Sequence, residues 1–163
     1  MQTRLFTQLL GLVLALLCTM LVGSIGAQDS SPLVGTWDVI LRFPESTCNS
    51  ACGCPGNTPD IPIPTLNTFL EQGGMLWSGG ALVVSTGHGT WEDLGDNQFT
   101  ARFKFFIFDL ATSFRTGSEE LTKDIRITGP DTFEATTTFD FFDAAGNLTA
   151  IGCIINETAT RFQ

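Results

Sequence analysis

The sequence predicts an all-β protein, a single closed antiparallel up-and-down barrel of about eight to ten strands. Residues 97–109 alternate strictly, with one apolar line through Phe99, Ala101, Phe103, Phe105 and Ile107 and a polar line that begins Thr100, Arg102, Lys104. The same alternation runs through residues 34–43 and 132–142. A period of two is typical of a strand with one dry face and one wet face.

The first predicted strand, residues 34–43, places Trp37, Val39, Leu41 and Phe43 on one face. Residues 44–64 are rich in Pro, Gly, Asn and Cys, which favours a long irregular loop. Four short strands are then expected, and most are separated by paired glycines that turn the chain. These strands cover residues 66–71, 75–78, 81–86 and 87–92.

The phenylalanine-rich strand follows at residues 97–109, and residues 111–119 after it show no clear period. Alternation then predicts three further strands, separated by turns at 129–131 and 143–147: residues 121–128, 132–142 and 148–161. Successive strands joined by tight turns favour a closed barrel, because closure removes exposed sheet edges. A two-layered sandwich is the competing architecture.

The chain begins like an exported protein. Arg4 is the only charge before Asp29, residues 9–22 are apolar, and a small-residue segment follows at 23–27. This order predicts a signal peptide over residues 1–27, cut after Gly26 or Ala27, and a barrel domain over 28–163. An uncleaved anchor is the alternative, although the apolar run is shorter than the roughly 20 residues that a spanning helix needs. We therefore expect a secreted or periplasmic protein without stable membrane insertion.

The composition excludes nucleic-acid binding. The chain has 17 acidic and 8 basic residues and a net charge of −9, and its basic residues form no cluster. Such a surface repels nucleic acid and anionic lipid and keeps the protein soluble.

Four cysteines follow the leader, and in an exported protein they suggest two disulfides. Because a bridge across one residue is strained, the pairing that joins Cys52 to Cys54 is disfavoured. The remaining pairings join Cys52 or Cys54 to Cys153, with Cys48 in a small local ring. A metal site of three cysteines and His88 is the alternative, but its spacing is not that of a usual zinc site, and we expect no metal.

Gly35-Thr36-Trp37 on the first strand of a small barrel resembles the calycins, the lipocalins and fatty-acid-binding proteins. Longer segments resemble a group of small exported bacterial lipocalin-like proteins that has no assigned activity: residues 67–70 with 73–74, residues 87–91 and residues 157–162. The resemblance covers most of the chain after the leader, and implies a fold rather than a function. It also implies a structural cation–π stack of Trp37 with Arg161, at the base of the barrel.

No motif announces a reaction or a cofactor. His88, the only histidine, lies between two glycines, and Glu92 follows four residues later. These two are weak catalytic candidates, because a water-exposed turn histidine explains the same pattern. Ser78 lacks the Gly-x-Ser-x-Gly elbow of a catalytic triad, and the glycine pairs lack the lysine of a phosphate-binding loop.

The interior is the strongest functional feature. The chain has 14 phenylalanines, three tryptophans and no tyrosine. Such residues either fill a solid core or line a pocket for a small hydrophobic molecule such as a fatty acid or isoprenoid. The expected lining residues are Phe99, Phe103, Phe105, Phe133, Phe139, Phe141, Trp77 and Trp91.

Two alternatives to a binding protein stay open. The first is a barrel enzyme resembling allene oxide cyclase or the lipocalin-like cyclases, with His88, Trp91, Glu92 and Trp77 at the mouth. The second is a structural or partner-binding domain with a solid core, which would use residues 44–64 or the outward-facing Phe106 and Phe108. The sequence identifies no protein partner.

Overall fold

The computed structural model describes residues 30–49, 51–54, 58–80 and 83–163. The predicted signal peptide, residues 1–27, lies outside the described residues. Within the described part of the chain, no helix is long and apolar enough to cross a membrane.

Eight antiparallel strands form one closed barrel. Each strand pairs with the next along the chain, and β8 returns to pair with β1, so the connectivity is up-and-down. The prediction of an all-β up-and-down barrel is confirmed, and the sandwich is excluded. The strands are β1 (Gly35–Arg42), β2 (Ile63–Phe69), β3 (Gly74–Gly79), β4 (Gly87–Gly95), β5 (Gln98–Phe108), β6 (Arg115–Gly129), β7 (Thr132–Asp143) and β8 (Leu148–Arg161).

The period-two patterns place the side chains as predicted. On β5, Phe99, Ala101, Phe103 and Phe105 are buried, whereas Arg102 and Lys104 are exposed. The interior therefore contains the apolar line of each strand, as the burial of apolar surface requires. Phe106 lies on the outer face, 39% exposed, with the Arg115 guanidinium 5.4 Å from its ring centroid.

Two sequence expectations differ from the structure. The strand expected over residues 81–86 is wrong for the described residues 83–86, where Val84 makes only an isolated bridge to Ile107. The aperiodic segment 111–119 conceals the start of β6 at Arg115. It begins with a turn in which the Asp109 carboxylate accepts hydrogen bonds from the Thr112 hydroxyl and from the Thr112 and Ala111 amides. These bonds lower the pKa of Asp109.

Two disulfides hold the loop between β1 and β2. Cys48 joins Cys54, and Cys52 joins Cys153 on β8. This is one of the two pairings that the sequence left open. The second bridge ties the loop to the end of the barrel that contains Phe43 and Phe141, next to an internal cavity. Disulfides of this kind are typical of proteins from an oxidising compartment.

Candidate functional site

One end of the barrel is closed by aromatic rings, which we call the aromatic base. Trp37 packs on Phe133 with ring centroids 4.9 Å apart, and Phe69 makes edge contacts with Phe133 and Trp91. Phe99 completes the base against Trp91. All five side chains are less than 10% exposed, so this part of the interior is a solid core.

Arg161 covers the aromatic base from below. Its guanidinium lies 4.2 Å from the centroid of the Trp37 ring, which is the cation–π contact expected for these residues. The same guanidinium donates to the carbonyls of Val34 and Pro32, and to Asp131. Arg161 therefore fixes the chain segment that enters β1.

A polar cluster lies inside the barrel, made of Asn67, Lys123, Thr137 and Glu157. Lys123 is fully buried, and its Nζ atom donates to Glu157 Oε2 at 2.5 Å. Thr137 donates to the other Glu157 oxygen at 2.5 Å, and the Asn67 amide oxygen, turned toward Lys123, accepts from Nζ at 2.7 Å. Burial lowers the pKa of Lys123, and the attraction of Glu157 opposes that effect.

Above the polar cluster the interior opens into a cavity of about 420 Å³, which we call the upper cavity. Strands β1, β2, β3, β5, β6, β7 and β8 and the disulfide-bonded loop contribute to it, and most of the lining is apolar. It lies within the usual size range of small-molecule sites, about 300–1,000 Å³. The lining includes Leu41, Phe43, Ile63, Trp77, Phe103, Phe105, Leu121, Phe139, Phe141 and Ile155.

Two pairs of aromatic rings form walls of the upper cavity. Trp77 lies parallel to Phe105, with centroids 4.5 Å apart and planes inclined by 11°, and Phe139 packs edge-on against Phe141. The Trp77 ring lies over Gly79, where a side-chain Cβ atom would collide with the indole. Glycine at position 79 thus gives the indole room to form the wall.

Three polar side chains reach the upper cavity. Glu157 belongs to the polar cluster, whereas the Thr65 hydroxyl is buried and has no hydrogen-bond partner among the described residues. Glu119 lies on β6, between Phe105 of β5 and Phe141 of β7 in the strand register. Its carboxyl has no ion pair or hydrogen bond within the described residues, and burial raises the pKa of Glu119 to about 8.

The structure separates the eight expected lining residues into two groups. Trp77, Phe103, Phe105, Phe139 and Phe141 line the upper cavity. Phe99, Phe133 and Trp91 lie in the aromatic base and do not reach the cavity. Core and pocket are therefore both present, at opposite ends of one barrel.

The two catalytic candidates lie on the outside of the barrel. His88 and Glu92 share the outer face of β4, and both are exposed. His88 borders a polar outer groove with Lys104, Glu120 and Asp140, and neither candidate lines the upper cavity. Among the described residues, no group of His, Cys, Asp or Glu side chains could hold a metal ion.

Sequence reasoning missed the polar interior, although a signal was present. Lys123 occupies the apolar line of β6 between Leu121 and Ile125, and Glu157 lies between Ile155 and Ala159. A charged side chain on the interior face of a strand needs an opposite charge or hydrogen bonds inside the barrel, because an unpaired buried charge is costly. Extending the β6 line backward from Leu121 also places Glu119 in the interior.

No family model, no curated protein and no solved structure matches this chain.

Proposed function

We propose that this protein is an exported, calycin-like barrel that binds one small hydrophobic molecule in the upper cavity. The observation that carries the proposal is the cavity itself, a space of about 420 Å³ with stacked aromatic walls above a closed base. An apolar ligand gains free energy by leaving water for such a lining. The two disulfides fit an oxidising extracellular or periplasmic location.

The cavity volume indicates the size class of the ligand. A space of about 420 Å³ lies in the lower part of the usual range of small-molecule sites, about 300–1,000 Å³, and suits a medium-chain lipid, a small isoprenoid or a small aromatic dye. The structural alternative, a domain with a solid core, does not account for the cavity, because close-packed protein interiors contain few voids larger than a water molecule.

The cyclase-like alternative has one observation in its favour. Glu119 is a carboxyl with a pKa near 8 inside an apolar cavity, and a general acid or base works best when its pKa is near the working pH. An enzyme of this type would use Glu119 rather than His88 or Glu92, because the latter two face outward. Binding without turnover is the simpler function, since the other carboxylate at the cavity, Glu157, is already bonded to Lys123 and Thr137.

Titration of the oxidised protein with N-phenylnaphthylamine, a neutral fluorescent apolar dye, tests the proposal. We expect saturable one-to-one binding at micromolar affinity. Leu121→Trp should abolish binding because the indole occupies the cavity, whereas Thr122→Trp, which points outward on the same strand, should leave binding unchanged. A folded wild-type protein that binds no dye, or equal loss in the two variants, contradicts the proposal.

A further inference from the structure

We propose that the ligand of the upper cavity is an uncharged molecule with a hydrogen-bond acceptor, such as a ketone, aldehyde or ester, and that the protonated Glu119 carboxyl donates to that acceptor. This inference rests on the proposed function and narrows its ligand class. It excludes carboxylates, so the anion of a fatty acid is not the ligand.

The first observation is the position of Glu119. Its carboxyl lines the cavity between Phe105 and Phe141, and no described side chain or backbone group bonds to it. An unpaired carboxylate in apolar surroundings is costly, whereas the neutral acid is not, and the neutral acid has one O–H to donate. The raised pKa of Glu119, about 8, agrees with a neutral acid at neutral pH.

The second observation is the lack of a cation for an anionic ligand. None of the described residues that line the cavity is Lys, Arg or His. Lys123 lies below, fully buried, and its ammonium is already used by Glu157 and Asn67. A bound carboxylate would therefore lose its hydration without gaining an ion pair, and it would face the Glu157 charge.

Ligand binding should depend on pH through Glu119, because the other groups around the cavity are paired or do not titrate. Glu157 of β8 and Lys123 of β6 are the other charged groups at the cavity, and they pair with each other. The described lining residues of β1, β2, β3, β5 and β7 do not titrate, and Cys52 and Cys153 form a disulfide. Loss of the Glu119 proton would remove the donor and place a negative charge against the acceptor of the ligand.

The Thr65 hydroxyl provides a second polar contact. Its Oγ1 atom is buried, lines the cavity and has no hydrogen-bond partner among the described residues. A buried hydroxyl without a partner carries a desolvation cost that a polar ligand atom removes. Two unpaired donors in an otherwise apolar lining suit a small oxygenated molecule better than a pure hydrocarbon.

The test compares methyl heptyl ketone with octanoate, which have the same number of non-hydrogen atoms, by displacement of bound N-phenylnaphthylamine. At neutral pH the ketone should bind at least about tenfold more tightly than octanoate. The affinity for the ketone should fall about tenfold as the pH rises past about 8, because Glu119 then loses its proton. Binding of the dye is measured over the same pH range to correct for any change in the dye itself.

Variants assign these effects to one side chain. Glu119→Gln keeps a donor and should bind the ketone with an affinity that no longer changes near pH 8. Glu119→Leu should bind the ketone about tenfold more weakly than wild type, with the affinity of the variant for the dye measured separately and used in the displacement analysis. Glu120→Gln is the matched control, because the adjacent Glu120 points outward to Lys104, and it should behave as wild type.

Each contrary result has a distinct meaning. Octanoate binding as tightly as the ketone overturns the inference and leaves the proposed function intact. So does ketone binding that is unaffected by pH and by Glu119→Leu. Failure of the folded protein to bind even the dye overturns the proposed function together with the inference.

Discussion

Lys123 and Glu157 form an ion pair inside the barrel, with Lys123 Nζ 2.5 Å from Glu157 Oε2 and both side chains almost completely buried. The pair lies between the aromatic base and the upper cavity. Thr137 donates a further hydrogen bond to Glu157, and Lys123 donates one to the Asn67 amide oxygen. Because the two charges pair with each other, neither needs a polar ligand as its partner, and the cavity above can accept an apolar one.

Removing one member of this pair should strongly destabilise the barrel. Lys123→Met leaves the Glu157 carboxylate buried without a counter-ion, a change that typically costs about 3–5 kcal/mol of unfolding free energy. The double variant Lys123→Met/Glu157→Gln should recover much of that loss, because it leaves no unpaired charge. Urea unfolding of the oxidised protein measures both free energies.

The exposed pair of Lys104 with Glu120, 2.9 Å apart, is the matched control for this prediction. Lys104→Met should cost less than about 1 kcal/mol, because solvent screens a surface ion pair. Equal losses from Lys123→Met and Lys104→Met would show that the buried pair is not needed for folding.

The two disulfides should contribute unequally to stability. The bridge from Cys52 to Cys153 spans 101 residues, whereas that from Cys48 to Cys54 spans 6. In the chain-entropy model, loops of these lengths give about 4–5 and about 2 kcal/mol. Replacing Cys52 and Cys153 by Ala should therefore lower Tm more than replacing Cys48 and Cys54, as measured by calorimetry. The reverse order would indicate that the loop, rather than its tie to β8, holds this end of the barrel.

The three tryptophans should report ligand binding unequally. Trp77 lines the upper cavity, whereas Trp37 and Trp91 lie in the aromatic base. Because quenching of an indole by a carbonyl group requires close contact, methyl heptyl ketone bound in the upper cavity should affect mainly Trp77. Trp77→Phe should remove most of the fluorescence change on ketone binding, and Trp91→Phe should retain it. A change that disappears in Trp91→Phe instead would place the ligand at the base.

Alternation of apolar and polar residues predicts part of this structure, namely which side chains face the interior of the barrel. The period of two assigns Phe99 and Phe103 to the same interior line of β5, and it predicts the barrel correctly. It does not encode which side chains face each other across the barrel. Phe99 therefore looks identical to Phe103 in the sequence, although Phe99 packs in the base and Phe103 lines the cavity.

Irregular backbone concealed the residue on which the ligand inference depends. The register of β5 and β6 shifts between Ile107 and Phe108, and Ser113 in the intervening turn has a positive φ of 59°. These features interrupt the alternation before β6, so residues 111–119 show no clear period in the sequence. Extending the line of Leu121 backward suggests an interior position for Glu119, and its pairing with Phe105 and Phe141 establishes that position.

Glu119 should make the stability of the unliganded protein depend on pH. Burial raises the pKa of Glu119 from 4.5 to about 8, so over that interval the folded protein binds a proton that the unfolded chain has released. The free energy of unfolding is therefore not reduced by this group below about pH 4.5, and it falls as the pH rises toward 8, by up to ~1.4 kcal/mol per pH unit. Above the folded-state pKa the loss is constant.

Glu119→Gln removes this dependence, because glutamine does not titrate. The variant should therefore be progressively more stable than wild type between about pH 5 and about pH 8. Urea unfolding at several pH values measures the difference, with Glu120→Gln as the exposed neighbour for comparison. A difference between Glu119→Gln and wild type that is the same at every pH would mean that Glu119 titrates normally.

A crystal structure of the oxidised protein with bound N-phenylnaphthylamine tests the central claim most directly. We expect one dye molecule in the upper cavity, in contact with Trp77, Phe105 and Phe139 above the pair of Lys123 and Glu157. Dye bound only on the outer surface, with the interior filled by side chains, would contradict the account.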